Sequence, residues 1–188
     1  MLIAPTIRTR GGHTFDFTDP SSNVIDIHDI AHALSQLCRF TGHTREFYSV
    51  AQHCVMVSLI VPPELALAGL LHDAAEAYLG DVSSPLKQML PDYKAIEESV
   101  ETAVLASVGI SLPLDPRVKV ADLIMLATEK RDLFCEKIRQ EKWAVLAGVG
   151  PLIQPIRAWS APKARIMFLN RYWELTDDPV AGGKRAVA

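Results

Sequence analysis

An all-α bundle behind a short N-terminal β-hairpin is the fold the sequence predicts, and three observations predict it. From Asp26 onward apolar residues recur every three to four positions, and glycines and prolines cut that pattern into helix-length pieces. The one run with strand character, Thr6–Arg10 and His13–Phe17, flanks Gly11-Gly12, a pair suited to the positive φ of a tight turn. With 188 residues, 49% of them hydrophobic and 22% charged, the chain is long enough to close around one core. A single domain is expected over 1–176, with 177–188 as a disordered tail around Gly182-Gly183.

The helices follow in order. Asp26 is placed to cap the first, whose inner face is Ile27, Ile30, Ala31 and Leu34, and Gly42 closes that region. A second runs from about Phe47 to Val61 and stops at Pro62-Pro63, since proline cannot donate to the helix ladder. The third, Glu64 to about Leu79, is apolar on nearly every side and is expected to be the central helix. After the turn Asp81–Pro85, an amphipathic helix spans about Asp92–Val108 and ends at Gly109. A long helix from about Arg117 to Lys142, a Gly/Pro-rich loop and a last helix of about Pro162–Leu175 complete the chain.

Composition excludes several classes. A formal charge of −3 and a pI near 6.1 give no global field for gripping a nucleic-acid polymer, so any anion contact must be a local cationic pocket. Cys38, Cys54 and Cys135 are odd in number and show no CxxC spacing, which argues against a disulfide framework and for a reducing cytoplasm. The start MLIAPTIRTRGG lacks a signal-peptide core, and Pro62, Pro63 and Glu64 interrupt the longest apolar run, so no membrane partner is expected.

Chemistry concentrates in His53, the pair His72-Asp73, and Asp122. Two imidazoles and two carboxylates from three predicted helices form a ligand set for a divalent ion such as Zn, Mn, Co or Fe. Glu76 follows His72 by four residues, on the same helix face, where a carboxylate can orient or deprotonate water beside the ion. A lone histidine on an apolar helix is ordinarily a core residue. Here, however, three ionisable groups interrupt the most hydrophobic helix, and no Lys or Arg lies between Arg45 and Lys87 to neutralise them locally.

A second cluster, His28-Asp29 with His32 one turn on, reads as structural. Asp29 suits the dipole at a helix start, and the upstream His13 belongs to the hairpin. His43 stays undecided, while Glu129 and Arg131 could reach the site, a neighbouring subunit, or only solvent.

The segments AHALSQLCRFTGHTREFYSVAQH, LLHDAAEAYLGDVSSPLK and VKVADLIMLATEKRDLF carry a further signal. His53, His72-Asp73 and Asp122 match the H…HD…D pattern, and the chain resembles the HD-domain phosphohydrolase superfamily over about Asp26–Phe134. It is similar within it to bacterial 5′-deoxynucleotidases and to phage dATP triphosphohydrolases; HDxxE followed by GDxxxPxK is the specific part.

The resemblance implies an HD helical bundle in which His53, His72, Asp73 and Asp122 hold the metal and Glu76 and Asp81 position water. It makes Arg39 and Lys87 phosphate contacts, with Mg a further candidate alongside substrate phosphates. Phe40 falls where the deoxynucleotidases carry Trp, and Pro85 is either a wall for the base or a loop stiffener. The implied activity is hydrolysis of a deoxynucleotide, foremost dATP to deoxyadenosine and triphosphate, in the cytoplasm of a bacterium or phage-infected host. A 5′-nucleotidase on deoxynucleoside monophosphates is the second reading, and a non-catalytic nucleotide-binding regulator the third. Relatives of this type also imply a homo-oligomer.

Overall fold

The computed structural model describes residues 4–176; the expected tail, 177–188, lies outside them. Helix makes up 60% and strand 5% of the structure, so the fold is all-α.

Strands β1 (Thr6–Arg8) and β2 (Thr14–Asp16) pair antiparallel with Ile7 opposite Phe15. They are shorter than the sequence suggests, and only Gly12 of the glycine pair takes a positive φ, 88°. Gly11 is small for another reason: a Cβ there would lie 2.9 Å from Oδ2 of Asp29. An isolated two-stranded hairpin is marginal in water. This one is anchored by Phe15, fully buried and stacked 4.1 Å from the ring of Tyr78.

Helix α1 (Ile27–Gln36) begins as expected, with the Asp26 carboxylate accepting from His28 N at 2.8 Å. It stops six residues before Gly42, because Leu37 turns extended and Cys38 bridges Ser49. Ser49 then caps α2 (Val50–Ile60). This helix packs on α1, α3, α7 and α9, and its buried residues extend from Val50 to Ser58, so α2 is the central helix.

The third predicted helix, expected at the centre, is broken in two: α3 (Ala66–Leu71) and α4 (Glu76–Leu79). Between them His72–Ala75 form tight turns with i→i+3 bonds, such as Ala74 N to Leu71 O and Glu76 N to Asp73 O. A four-residue helix α5 (Ser84–Lys87) and the amphipathic α6 (Pro91–Ala106) follow.

Helix α7 (Pro116–Leu133) ends nine residues earlier than the periodicity suggests. Arg45 N takes the Leu133 carbonyl at 2.9 Å, and the extended Phe134 turns inward against Phe40 and Trp143. Only the short α8 (Glu136–Gln140) continues beyond it. The irregular stretch 141–160 is tied down by side chains: Gln52 bonds Arg157 O and Trp159 N, Thr128 accepts from Leu152 N, and Asp132 accepts from Ile156 N. Helix α9 (Ala161–Thr176) closes the bundle over α1, α2 and α3.

Candidate metal centre

Three helices deliver the four ligands expected from the sequence. His53 sits mid-α2 and is fully buried, His72-Asp73 lie at the end of α3, and Asp122 is in the second turn of α7. His53 Nε2 is 3.3 Å from His72 Nε2, 3.3 Å from Asp122 Oδ1 and 3.7 Å from Asp73 Oδ2. Donors bound at about 2.0–2.2 Å around a tetrahedral ion stand roughly 3.3–3.6 Å apart, so the spacing already suits a first-row metal.

The outer ring nitrogens explain why both Nε2 atoms point inward. His53 Nδ1 donates to Glu129 Oε1 at 2.6 Å, and His72 Nδ1 donates to the Gly69 carbonyl at 2.8 Å. Rings so held turn both Nε2 atoms toward one point, an arrangement that a cation or a proton between them resolves. The same demand acts on His53 itself: burial and Arg39 push its pKa down, but Glu129 and Asp122 outweigh them and lift it to about 9.

Charge around the point is strongly negative. Asp73, Glu76, Asp81, Asp122 and Glu129 face Arg39 and Lys87, and Lys119, which reaches Asp122 Oδ2 at 2.6 Å, is largely in solvent. Burial, then the charges of Asp73 and Asp81, hold Glu76 well above the usual carboxylate range, and its Oε2 has no partner among the described residues. Burial also raises Asp81, against the pull of Arg39. Cys54 stands beside His72 and Asp73; burial and then their acidic surroundings raise its thiol, which keeps it neutral. His53, His72 and Asp122 offer ligand atoms within 4.8 Å of one another, as do Cys54, His72 and Asp73, so this His/Asp/Cys cluster could hold a metal ion.

Arg39 and Lys87 both reach the cluster, each already paired. Arg39 contacts Glu129 Oε2 at 3.1 Å and Asp73 Oδ2 at 3.6 Å. Lys87 ion-pairs with Glu97 and lies 3.8 Å from Glu76 Oε1. Arg39 thus supplies, from outside the Arg45–Lys87 interval, part of the neutralisation that the sequence lacks locally. Phe40 takes a left-handed conformation, φ 55°, with Arg39 5.3 Å from its ring centroid and Phe134 edge-on at 4.9 Å. Pro85 is exposed in the first turn of α5, and no polar contact ties it to the cluster among the described residues.

Glu129, undecided in the sequence, belongs to the centre: it is fully buried and grips both His53 and Arg39. Its spacing of seven from Asp122, two turns on one face of α7, was the available signal. Arg131 turns away, to Asp132 and the carbonyls of Leu152 and Gln154. His28 and His43 are exposed. The hairpin, by contrast, brings His13 to Asp26 and Asp29, an assembly the sequence does not foreshadow.

No family model matches the chain. It is 46% identical over 143 residues to the uncharacterized protein YfdR of Escherichia coli strain K12, a match covering 76% of this chain and 79% of that protein. The chain belongs to the YfdR family. A second relative, an uncharacterized protein of Rhodobacter capsulatus, is 31% identical over 140 residues, covering 67% of this chain and 71% of its own. Among the described residues of this YfdR-family chain, no helix is long and apolar enough to cross a membrane.

Proposed function

We propose that the chain is a metal-dependent phosphohydrolase of the HD type that acts on deoxynucleotides, foremost dATP, releasing deoxyadenosine and triphosphate. The observation that carries this reading is the pair of inward-facing imidazoles, His53 Nε2 and His72 Nε2 3.3 Å apart, each locked by an outer hydrogen bond. Asp73 and Asp122 add carboxylate oxygens to the two imidazoles, so the residues that would hold an ion form a mixed nitrogen and oxygen set. A divalent ion held there supplies Lewis acidity, polarising a phosphoryl oxygen and bringing the pKa of water toward roughly 7.

The chain's own groups have distinct tasks. Glu76 presents a buried oxygen, unpartnered among the described residues, with which to orient a water and take its proton, and Asp81 shares the same acidic wall. Arg39 and Lys87 reach the cluster beside Asp73 and Glu76, and they stabilise charge that develops on the phosphate oxygens. Glu129 orients His53 and holds Arg39 in place.

The test is direct. Purified protein is incubated with each dNTP and each dNMP in the presence of Mn²⁺ or Co²⁺, and the products are identified. Intact triphosphate from dATP supports the proposal. Orthophosphate from dNMP alone assigns the chain to the 5′-nucleotidases, and no release from any nucleotide replaces catalysis by binding.

A further inference from the structure

We propose that His13, Asp26 and Asp29 form a second divalent-cation site, separate from the HD-type centre, that fastens the N-terminal hairpin to the first turn of α1. The three side chains offer one imidazole nitrogen and two carboxylate oxygens, all within 4.8 Å of one another. Such a mixed set with three protein donors suits a first-row transition ion that completes its shell with water.

Geometry at Asp29 points to a ligand. The residue is only 6% exposed, and Oδ1 accepts from Gly11 N at 2.6 Å, while Oδ2 has no hydrogen-bond partner among the described residues. Burying an ionised oxygen without a partner costs several kcal/mol, and no Lys or Arg forms an ion pair with Asp29 among the described residues. The helix dipole gives a reason for an acid in this turn but leaves Oδ2 uncompensated. At Asp26 the division is similar: Oδ1 caps His28 N, and Oδ2 faces His13 Nε2 at 3.9 Å.

Neighbouring residues are shaped to the same point. Gly11 carries no side chain where a Cβ would fall 2.9 Å from Asp29 Oδ2. Tyr78 buries a hydroxyl that also lacks a hydrogen-bond partner among the described residues, and burial followed by the charges of Asp29 and Asp26 raises its pKa. One cation would compensate the oxygens of both aspartates. A cavity of about 500 Å³ is lined by two of the three donors, His13 and Asp26, together with His28 and Trp173, and Asp29 lies outside its lining. Because Phe15 of the same hairpin stacks on Tyr78, two residues from Glu76, the ion would also hold one wall of the first centre.

The experiment counts ions. Tag-free protein is stripped by dialysis against a chelator, reloaded by equilibrium dialysis with Co²⁺ alone, and analysed for cobalt per chain. It is run as wild type, His13→Ala, His72→Ala and the double variant. His13 is partly exposed, so its removal is mild; circular dichroism confirms that each variant is folded.

The proposal expects His72→Ala to keep one ion and the double variant none, with Co²⁺ raising the melting temperature of His72→Ala but not of the double variant. It is overturned if His72→Ala binds no cobalt, or if His13→Ala binds as much as wild type. Failure of the HD-type centre has a different signature: wild type and His72→Ala then each hold one ion, and His13→Ala holds none.

Discussion

Glu129 Oε1 lies 2.6 Å from His53 Nδ1 in the fully buried centre of the bundle, two turns along α7 from Asp122. One carboxylate therefore decides which nitrogen of His53 faces the cluster, and its other oxygen holds Arg39. Partners of this kind typically contribute 10–100-fold in metal affinity. Glu129→Gln keeps the shape but loses the charge that favours a donating Nδ1, and metal titration by calorimetry is expected to show a loss of that size. Unchanged affinity would remove Glu129 from the centre. Glu129→Ala removes the tighter of the two ion pairs of Arg39 and leaves the longer one to Asp73 at 3.6 Å, and it is expected to cost about 3–5 kcal/mol in urea unfolding as well.

Glu76 is the group whose loss should separate chemistry from binding. Among the described residues it is not one of the grouped ligands around His53, yet its Oε2 is buried with no hydrogen-bond partner there. For Glu76→Gln, nucleotide hydrolysis is expected to fall by roughly 10²–10⁴-fold, the usual contribution of a positioned acid or base. Metal content should stay at the wild-type level. A variant that hydrolyses at the wild-type rate would exclude Glu76 from proton transfer; one that loses its metal would make it a ligand.

Gly69 links the packing of the bundle to the centre. A Cβ at this position would stand 3.0 Å from Val61 Cγ2 and 3.2 Å from Ser58 Cα, so α2 and α3 approach closely only because it is absent. The Gly69 carbonyl meanwhile accepts from His72 Nδ1. Gly69→Ala should push the helices apart, costing about 1–3 kcal/mol. In a chain of this size the melting temperature falls roughly 2–4 °C per kcal/mol. Metal affinity should fall along with it, because His72 loses its fixed orientation. A destabilised variant with intact metal affinity would show that the carbonyl is dispensable.

What the sequence makes legible here is what is local. Asp26 and the Pro62-Pro63 stop act on their own neighbours, and the helix ends they imply are found within a residue or two. His53, His72, Asp73 and Asp122 stand out because charge in an apolar helix is expensive wherever the helix lies. The two helix breaks are different. LLHDAAEAYL has no breaker, and it tightens at His72–Ala75 inside the packed bundle, where both His72 and Asp73 face the centre. Phe134 is extended because Arg45, almost ninety residues earlier, takes the carbonyl that precedes it. His13 meets Asp26 and Asp29 for a similar reason: the hairpin folds back on α1, a long-range docking that no window of periodicity contains.

Asp132 offers a prediction on pH. It joins α7 to the irregular stretch that follows, accepting from Ile156 N at 2.8 Å and from Arg131 Nη2 at 2.7 Å. Burial pushes its pKa up, but the hydrogen bonds from Arg131 and Ile156 and the guanidinium charge outweigh it and hold the carboxyl below its ordinary 3.8. A carboxylate depressed in the folded state contributes stability that is fully present above the unfolded pKa and is lost as pH falls through the folded one. Wild type should therefore unfold at higher urea than Asp132→Asn at pH 6. The gap should narrow steadily once pH drops below about 4, where both chains come to carry a neutral side chain. Were the gap the same at pH 6 and pH 3, the carboxylate charge would have no part in anchoring that stretch, and the Asp132–Ile156 bond would be serving through shape alone.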